Sequence, residues 1–152
     1  MRNIFFAFIS FVLVSAAAAC RKTSTTSCDD PVIFNLKDTV TLCYDGIAKW
    51  SKDQKTTIHF NKVLGDNRCP QDVVCIVAGG VKVSLDLAQA SGSRQDSVWV
   101  GDNTGGALTD SVILGSLKVR LLEVKPYPAK ANVAIPQEDY KIKLLITERK
   151  PQ

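Results

Sequence analysis

Apolar residues recur at every second position over much of the chain. Val81, Val83, Leu85 and Leu87 alternate with Lys82, Ser84 and Asp86. Leu117, Val119 and Leu121 alternate with Lys118 and Arg120, and Tyr140, Ile142, Leu144 and Ile146 alternate with Lys141, Lys143 and Thr147. A period of two turns one set of side chains to a core and the other to water, the mark of a half-buried strand. Segments 39–44, 56–64, 96–100 and 108–114 add four β-rich runs. Tyr44-Asp45-Gly46, Ser91-Gly92-Ser93, the GDNTGG run at 101–106 and Gly115 punctuate them with turn residues. The pattern predicts an all-β fold, a single antiparallel β-sandwich of about seven strands with immunoglobulin-like architecture. A short helical turn is expected at 70–74, where Pro70 suits a first helical position.

The amino terminus breaks this pattern. Arg2 precedes an apolar run from Ile4 to Val14, followed by small residues up to Cys20. This is the layout of a secretory signal, and the run is short of the ~20 apolar residues that span a bilayer. Ala17-Ala18-Ala19 also suits general cleavage of a secreted protein. With Cys20 added, the segment resembles the lipobox of a bacterial lipoprotein, with Ala17 where leucine is commoner. That resemblance implies cleavage before Cys20 and lipidation of its sulfur and amine, leaving the protein anchored to a bacterial membrane in the cell envelope. Residues 1–19 are then a signal peptide, 20–31 a polar lipidated tether, and 32–150 one β-domain, long enough for a real core and too short for two.

Five cysteines is an odd number for an exported chain. If Cys20 carries lipid, Cys28, Cys43, Cys69 and Cys75 remain as an even set. Nearness in the chain favours Cys69–Cys75, which leaves Cys28–Cys43, although four cysteines allow three connectivities. Without residues 1–19 the chain carries 18 basic and 15 acidic residues, a formal charge of +3 with no like-charge block. Such a surface does not argue for a nucleic-acid partner.

Candidate chemistry is sparse. The four cysteines lack the close ligand pairs of structural zinc sites, His59 is the single histidine, and the single methionine is Met1, so no metal or other cofactor is expected. His59 alternates with Ile58 and Phe60 and is expected to face solvent, away from any Ser–His–Asp arrangement. Cys69 and Cys75 are too far apart for a C-x-x-C redox centre, and Asp72 between them opposes thiolate formation. They are expected to form a structural clasp, with Pro70 organising the loop and Gly79-Gly80 allowing a tight turn or close chain approach. Asp66 and Arg68 are expected to anchor it by pairing with each other or with loop carbonyls, or else to meet a partner. Asp102, in the GDNTGG turn, is a weak calcium candidate, and 124–137 reads as a proline-rich surface connection.

Residues 66–79, DNRCPQDVVCIVAG, resemble the D-S-R-C-P-x-x-V-x-C-x-W-A-G signature of a group of small bacterial secreted proteins and lipoproteins. Valine-Lys-Pro-Tyr-Pro at 124–128 and the strand at 140–146 resemble the closing strands of that group, and the likeness covers roughly 38–148. Asn67 replaces the usual serine and Val77 the common tryptophan. The resemblance implies no established activity. The chain is therefore expected to be a non-enzymatic, lipid-anchored β-domain, either binding a protein or glycan partner or serving the envelope structurally. The alternative is a peptidase inhibitor that presents loop 69–75, with 70–74 as its wedge.

Overall fold

A computed structural model of the chain describes Cys28, residues 31–102 and residues 109–149. The expected signal peptide, Cys20, and most of the GDNTGG turn lie outside these residues. Nine strands form two sheets: β1 (Val32–Phe34), β2 (Thr39–Cys43), β3 (Ile47–Trp50), β4 (Thr57–Asp66), β5 (Gly80–Gln89), β6 (Gly92–Gly101), β7 (Ser111–Leu114), β8 (Leu117–Lys125) and β9 (Lys141–Glu148). One sheet has the order β1-β3-β4-β5-β6 and the other β2-β9-β8-β7. Their apolar faces meet in one core: Phe60, Val83 and Leu85 from the first sheet, and Val119, Leu144 and Ile146 from the second, are all 0% exposed. The all-β, two-sheet, sandwich-like arrangement agrees with the period-two pattern.

Three details differ from expectation. There are nine strands among the described residues rather than about seven, because β1 and β3 span only three and four residues and show no period. The sheets are not purely antiparallel, since β1 pairs parallel to β3, with Val32 opposite Ala48. Residues 70–74 form no helix; Pro70 instead opens a turn in which the Val73 N–H donates to the Pro70 carbonyl at 3.4 Å. The one helical turn described is a 3-10 turn at Gln137–Asp139, within the proline-rich connection's end.

Register shifts decide which residues reach the core. In β8 a shift between Leu121 and Glu123 breaks the alternation, so that after Leu117, Val119 and Leu121 the next buried residue is Val124. In β4 a shift between Phe60 and Lys62 buries Val63 after Ile58 and Phe60. An inserted residue flips the phase of every side chain beyond it and increases local twist. Both shifts lie toward the same end of the sandwich, where β4 and β8 run on into the disulfide-bearing loop and the 126–135 segment.

Candidate functional site

The site is built at that end. Beyond β4, the Asn67 N–H donates to Gly80 and the Cys69 N–H to Ala78, continuing the β4–β5 ladder, at 2.8 and 2.9 Å. Two glycines make this approach possible. Gly79 has φ +65°, and a Cβ there would lie 1.8 Å from the Asn67 carbonyl oxygen; one on Gly80 would lie 2.3 Å from the Trp99 ring. No side chain fits either place. Cys69 and Cys75 close the loop with a disulfide, and Cys28 and Cys43 form the other. The loop also leans on the 126–135 segment. The Gln71 N–H donates to the Pro128 carbonyl at 3.1 Å, and Asp72 Oδ1 accepts from the Ala131 N–H at 2.8 Å.

Asp66 and Arg68 lie beneath the loop, with side chains only 9% and 8% exposed. Arg68 Nε and Nη2 grip the two Asp66 carboxylate oxygens at 2.8 and 2.5 Å, a bidentate pair. Arg68 Nη1 donates to the Val124 carbonyl at 2.5 Å and Nη2 to the Pro126 carbonyl at 2.8 Å. Its guanidinium lies 4.9 Å from the Tyr127 ring centroid. One cation thus ties the end of β4 to the end of β8, across the two sheets. Asp66 and Arg68 therefore pair with each other, and Arg68 also serves carbonyls, although these belong to β8 and its exit rather than to the loop itself.

Tyr140 completes the group by donating its hydroxyl to Asp66 Oδ2 at 3.0 Å. Burial of the phenol, followed by the negative charge of Asp66, pushes its pKa up from 10.0 to about 12. Because ionisation is disfavoured in the folded state, the folded protein holds this proton longer than the unfolded chain does. The resulting stability is complete below pH 10 and is lost as pH rises through 12. Denaturant titrations across this window are expected to lose on the order of 2 kcal/mol from this residue, and Tyr140→Phe to remove that part of the alkaline dependence.

The loop tip is apolar and in water. Val73 is 43% exposed, Val74 102%, Ile76 105% and Val77 57%, four large aliphatic residues within five positions. Such clustering sets the tip apart from the single apolar residues scattered over an ordinary protein surface. The reading of 69–75 as a structural clasp leaves these four side chains unplaced, and only the inhibitor alternative, with 70–74 as its wedge, presents Val73 and Val74. The available signal was an apolar run without alternation, closed inside a short disulfide loop. Tyr127 and Tyr140 carry no local signal of their roles, which depend on partners 59 and 74 positions away.

His59 lies on the outer face of the first sheet, half-buried. Its Nε2 is 2.7 Å from Asp45 and its Nδ1 3.2 Å from Asp86. Burial acts to raise the Asp86 pKa, but hydrogen bonds from Gln95, Asn61 and His59 outweigh it and hold the carboxyl below its usual range. Both ring nitrogens of His59 thus meet carboxylates on neighbouring strands. Among the described residues no group of three or more His, Cys, Asp or Glu residues is placed to hold a metal, and no helix is long and apolar enough to cross a membrane. Comparison with known proteins finds no matching family, no matching curated protein and no matching solved structure.

Proposed function

We propose that the chain is a lipid-anchored domain of a bacterial cell envelope that acts by non-catalytic binding, with the disulfide-braced loop as its contact element. The observation that carries this reading is the full exposure of Val74 and Ile76 on a loop fixed by a disulfide, by two hydrogen bonds to the 128–131 segment and by the Arg68 clamp below it. A side chain held in place before contact loses little freedom on contact, which favours binding. The lipobox-like Cys20, the resemblance to small secreted proteins and lipoproteins, and an immunoglobulin-like description of the sandwich belong to the same reading. On it, Asp66 and Arg68 are anchors of the loop rather than contact residues, because their side chains are nine-tenths buried.

Photo-crosslinking in intact cells tests it. A crosslinker at Val74 is expected to give adducts that one at Ser91, in the β5–β6 hairpin at the opposite end, does not. Equal adducts from both positions would refute a contact role for the loop. The rigid, exposed Val73 and Val74 also favour the second reading, a peptidase inhibitor with 70–74 as the wedge. It requires slowed turnover by at least one enzyme in a panel of secreted peptidases, and full activity throughout the panel excludes it.

A further inference from the structure

The position of the Cys28–Cys43 disulfide says where the amino-terminal tether leaves the domain. Cys43 ends β2 opposite Lys141 of β9, and Lys141 in turn lies opposite Lys125 at the end of β8. The Tyr44 N–H donates to the Tyr140 carbonyl at 2.9 Å, and Tyr140 reaches Asp66 beneath the loop. Cys28 is therefore held at the end of the sandwich that carries the apolar tip. From Cys20 to Cys28 is 28 − 20 = 8 residues, which extend at most about 28 Å. A lipid on Cys20 would hold this end, and not the β5–β6 hairpin, toward the bilayer.

We propose that the tip enters that bilayer: Val73, Val74, Ile76 and Val77 insert into the boundary between headgroups and acyl chains, making a second attachment beside the lipid. This rests on the anchoring reading above and names the partner of the same loop. The composition of the tip selects lipid over protein. Protein interfaces draw their strongest contacts from Trp, Tyr and Arg, whereas the exposed apolar residues of the tip, Val73, Val74, Ile76 and Val77, are all aliphatic. An interfacial membrane element needs apolar area and little else. Tyr127, 45% exposed and stacked on Arg68, stands at the shoulder of the loop, where a half-polar aromatic suits the headgroup layer. The one charge in the tip, Asp72, accepts the Ala131 N–H. No cation lies between Cys69 and Gly79, so attachment through the tip should not depend on anionic lipid. The lipid on Cys20 supplies affinity but leaves the domain free to swivel on its tether, and a second contact of this kind fixes its orientation.

The test places a reporter in the tip of the full, anchored protein. Val74→Trp, Ile76→Trp and Ser91→Trp variants are reconstituted into phosphatidylcholine vesicles containing lipid brominated on its acyl chains, and read against the wild-type signal of Trp50 and Trp99. Fluorescence of the two tip variants is expected to be quenched and that of Ser91→Trp to be unaffected. In a second arm, an unlipidated mature chain, Cys20→Ser without residues 1–19, is sedimented with the same vesicles. Its binding should fall by about tenfold or more with Val74→Asp and Ile76→Asp combined. It should change little when phosphatidylglycerol is added or salt is raised. Both side chains are fully exposed, so an unchanged unfolding midpoint is the expected control for a preserved fold. Unquenched tip variants in a protein whose mass shows acylated Cys20 would overturn the insertion and leave the anchor standing, as would crosslinks from Val74 to protein alone. Quenched tip variants in a protein with unmodified Cys20 would uphold the insertion and refute the anchor.

Discussion

Arg68→Ala is expected to destabilise the domain by about 3–5 kcal/mol, the cost of breaking a buried ion pair from one side. The large value follows from what the guanidinium leaves behind. Asp66 would remain 9% exposed with no cation, and the Val124 and Pro126 carbonyls would lose their donor. Its interaction with the Tyr127 ring would go as well. Urea denaturation should show a lower midpoint with an unchanged slope, since the same surface is exposed on unfolding. Asp66→Asn combined with Arg68→Ala should cost less than the sum of the two single changes, because each single change already forfeits the pairing. A loss below about 1 kcal/mol, the range of an exposed pair, would show that the cluster is solvated and is not a clamp. Arg68→Lys should recover only part of the stability, since an ammonium cannot grip both carboxylate oxygens and two carbonyls in one plane.

Arg68 also shows how much of the molecule its sequence discloses. Asp66, Arg68 and the two cysteines beside them stand close in the chain, and their pairing follows from local chemistry. The carbonyls that Arg68 serves lie 56 and 58 positions away, and no local pattern points to them. The long strands are legible because one buried face imposes alternation over many residues, as in β5 and β9. Where the alternation breaks, at Lys62 and Glu123, the pattern alone gives no sign that the phase has flipped and that Val63 and Val124 turn inward. The short strands β1 and β3 exist only through their pairing with each other and with β4, so they too escape a local reading. Reading the loop as a clasp leaves its apolar tip unplaced for a related reason. Val73, Val74, Ile76 and Val77 have the composition of a buried strand, and only the disulfide turn that lifts them off the sheet leaves them in water.

Removal of the Cys28–Cys43 disulfide is expected to cost about 3 kcal/mol, against about 2 kcal/mol for Cys69–Cys75. The difference comes from the loops they close in the unfolded chain, with sequence separations of 15 and 6. Cys28→Ser with Cys43→Ala is the suitable pair, because Cys43 is 6% exposed and a serine there would bury a hydroxyl. Denaturation of both double variants under the same conditions gives the order directly, and a larger loss for Cys69–Cys75 would contradict it. The first bridge has a further consequence that the second lacks. It encloses β1 and β2, joining the entry of the chain to the end of β2 in the opposite sheet, at the end that bears the loop. On the proposed anchoring, without the bridge the first strand residue holding the chain to the domain is Val32 of β1, 32 − 20 = 12 residues from Cys20, a reach of up to about 40 Å instead of about 28 Å. A longer leash lowers the effective concentration of the tip at the bilayer without changing the tip itself. The anchored Val74→Trp protein should therefore be quenched less by brominated lipid once Cys28 and Cys43 are replaced, even under conditions where the domain remains folded. Undiminished quenching would mean that the tip holds the bilayer by itself and that the bridge contributes stability alone.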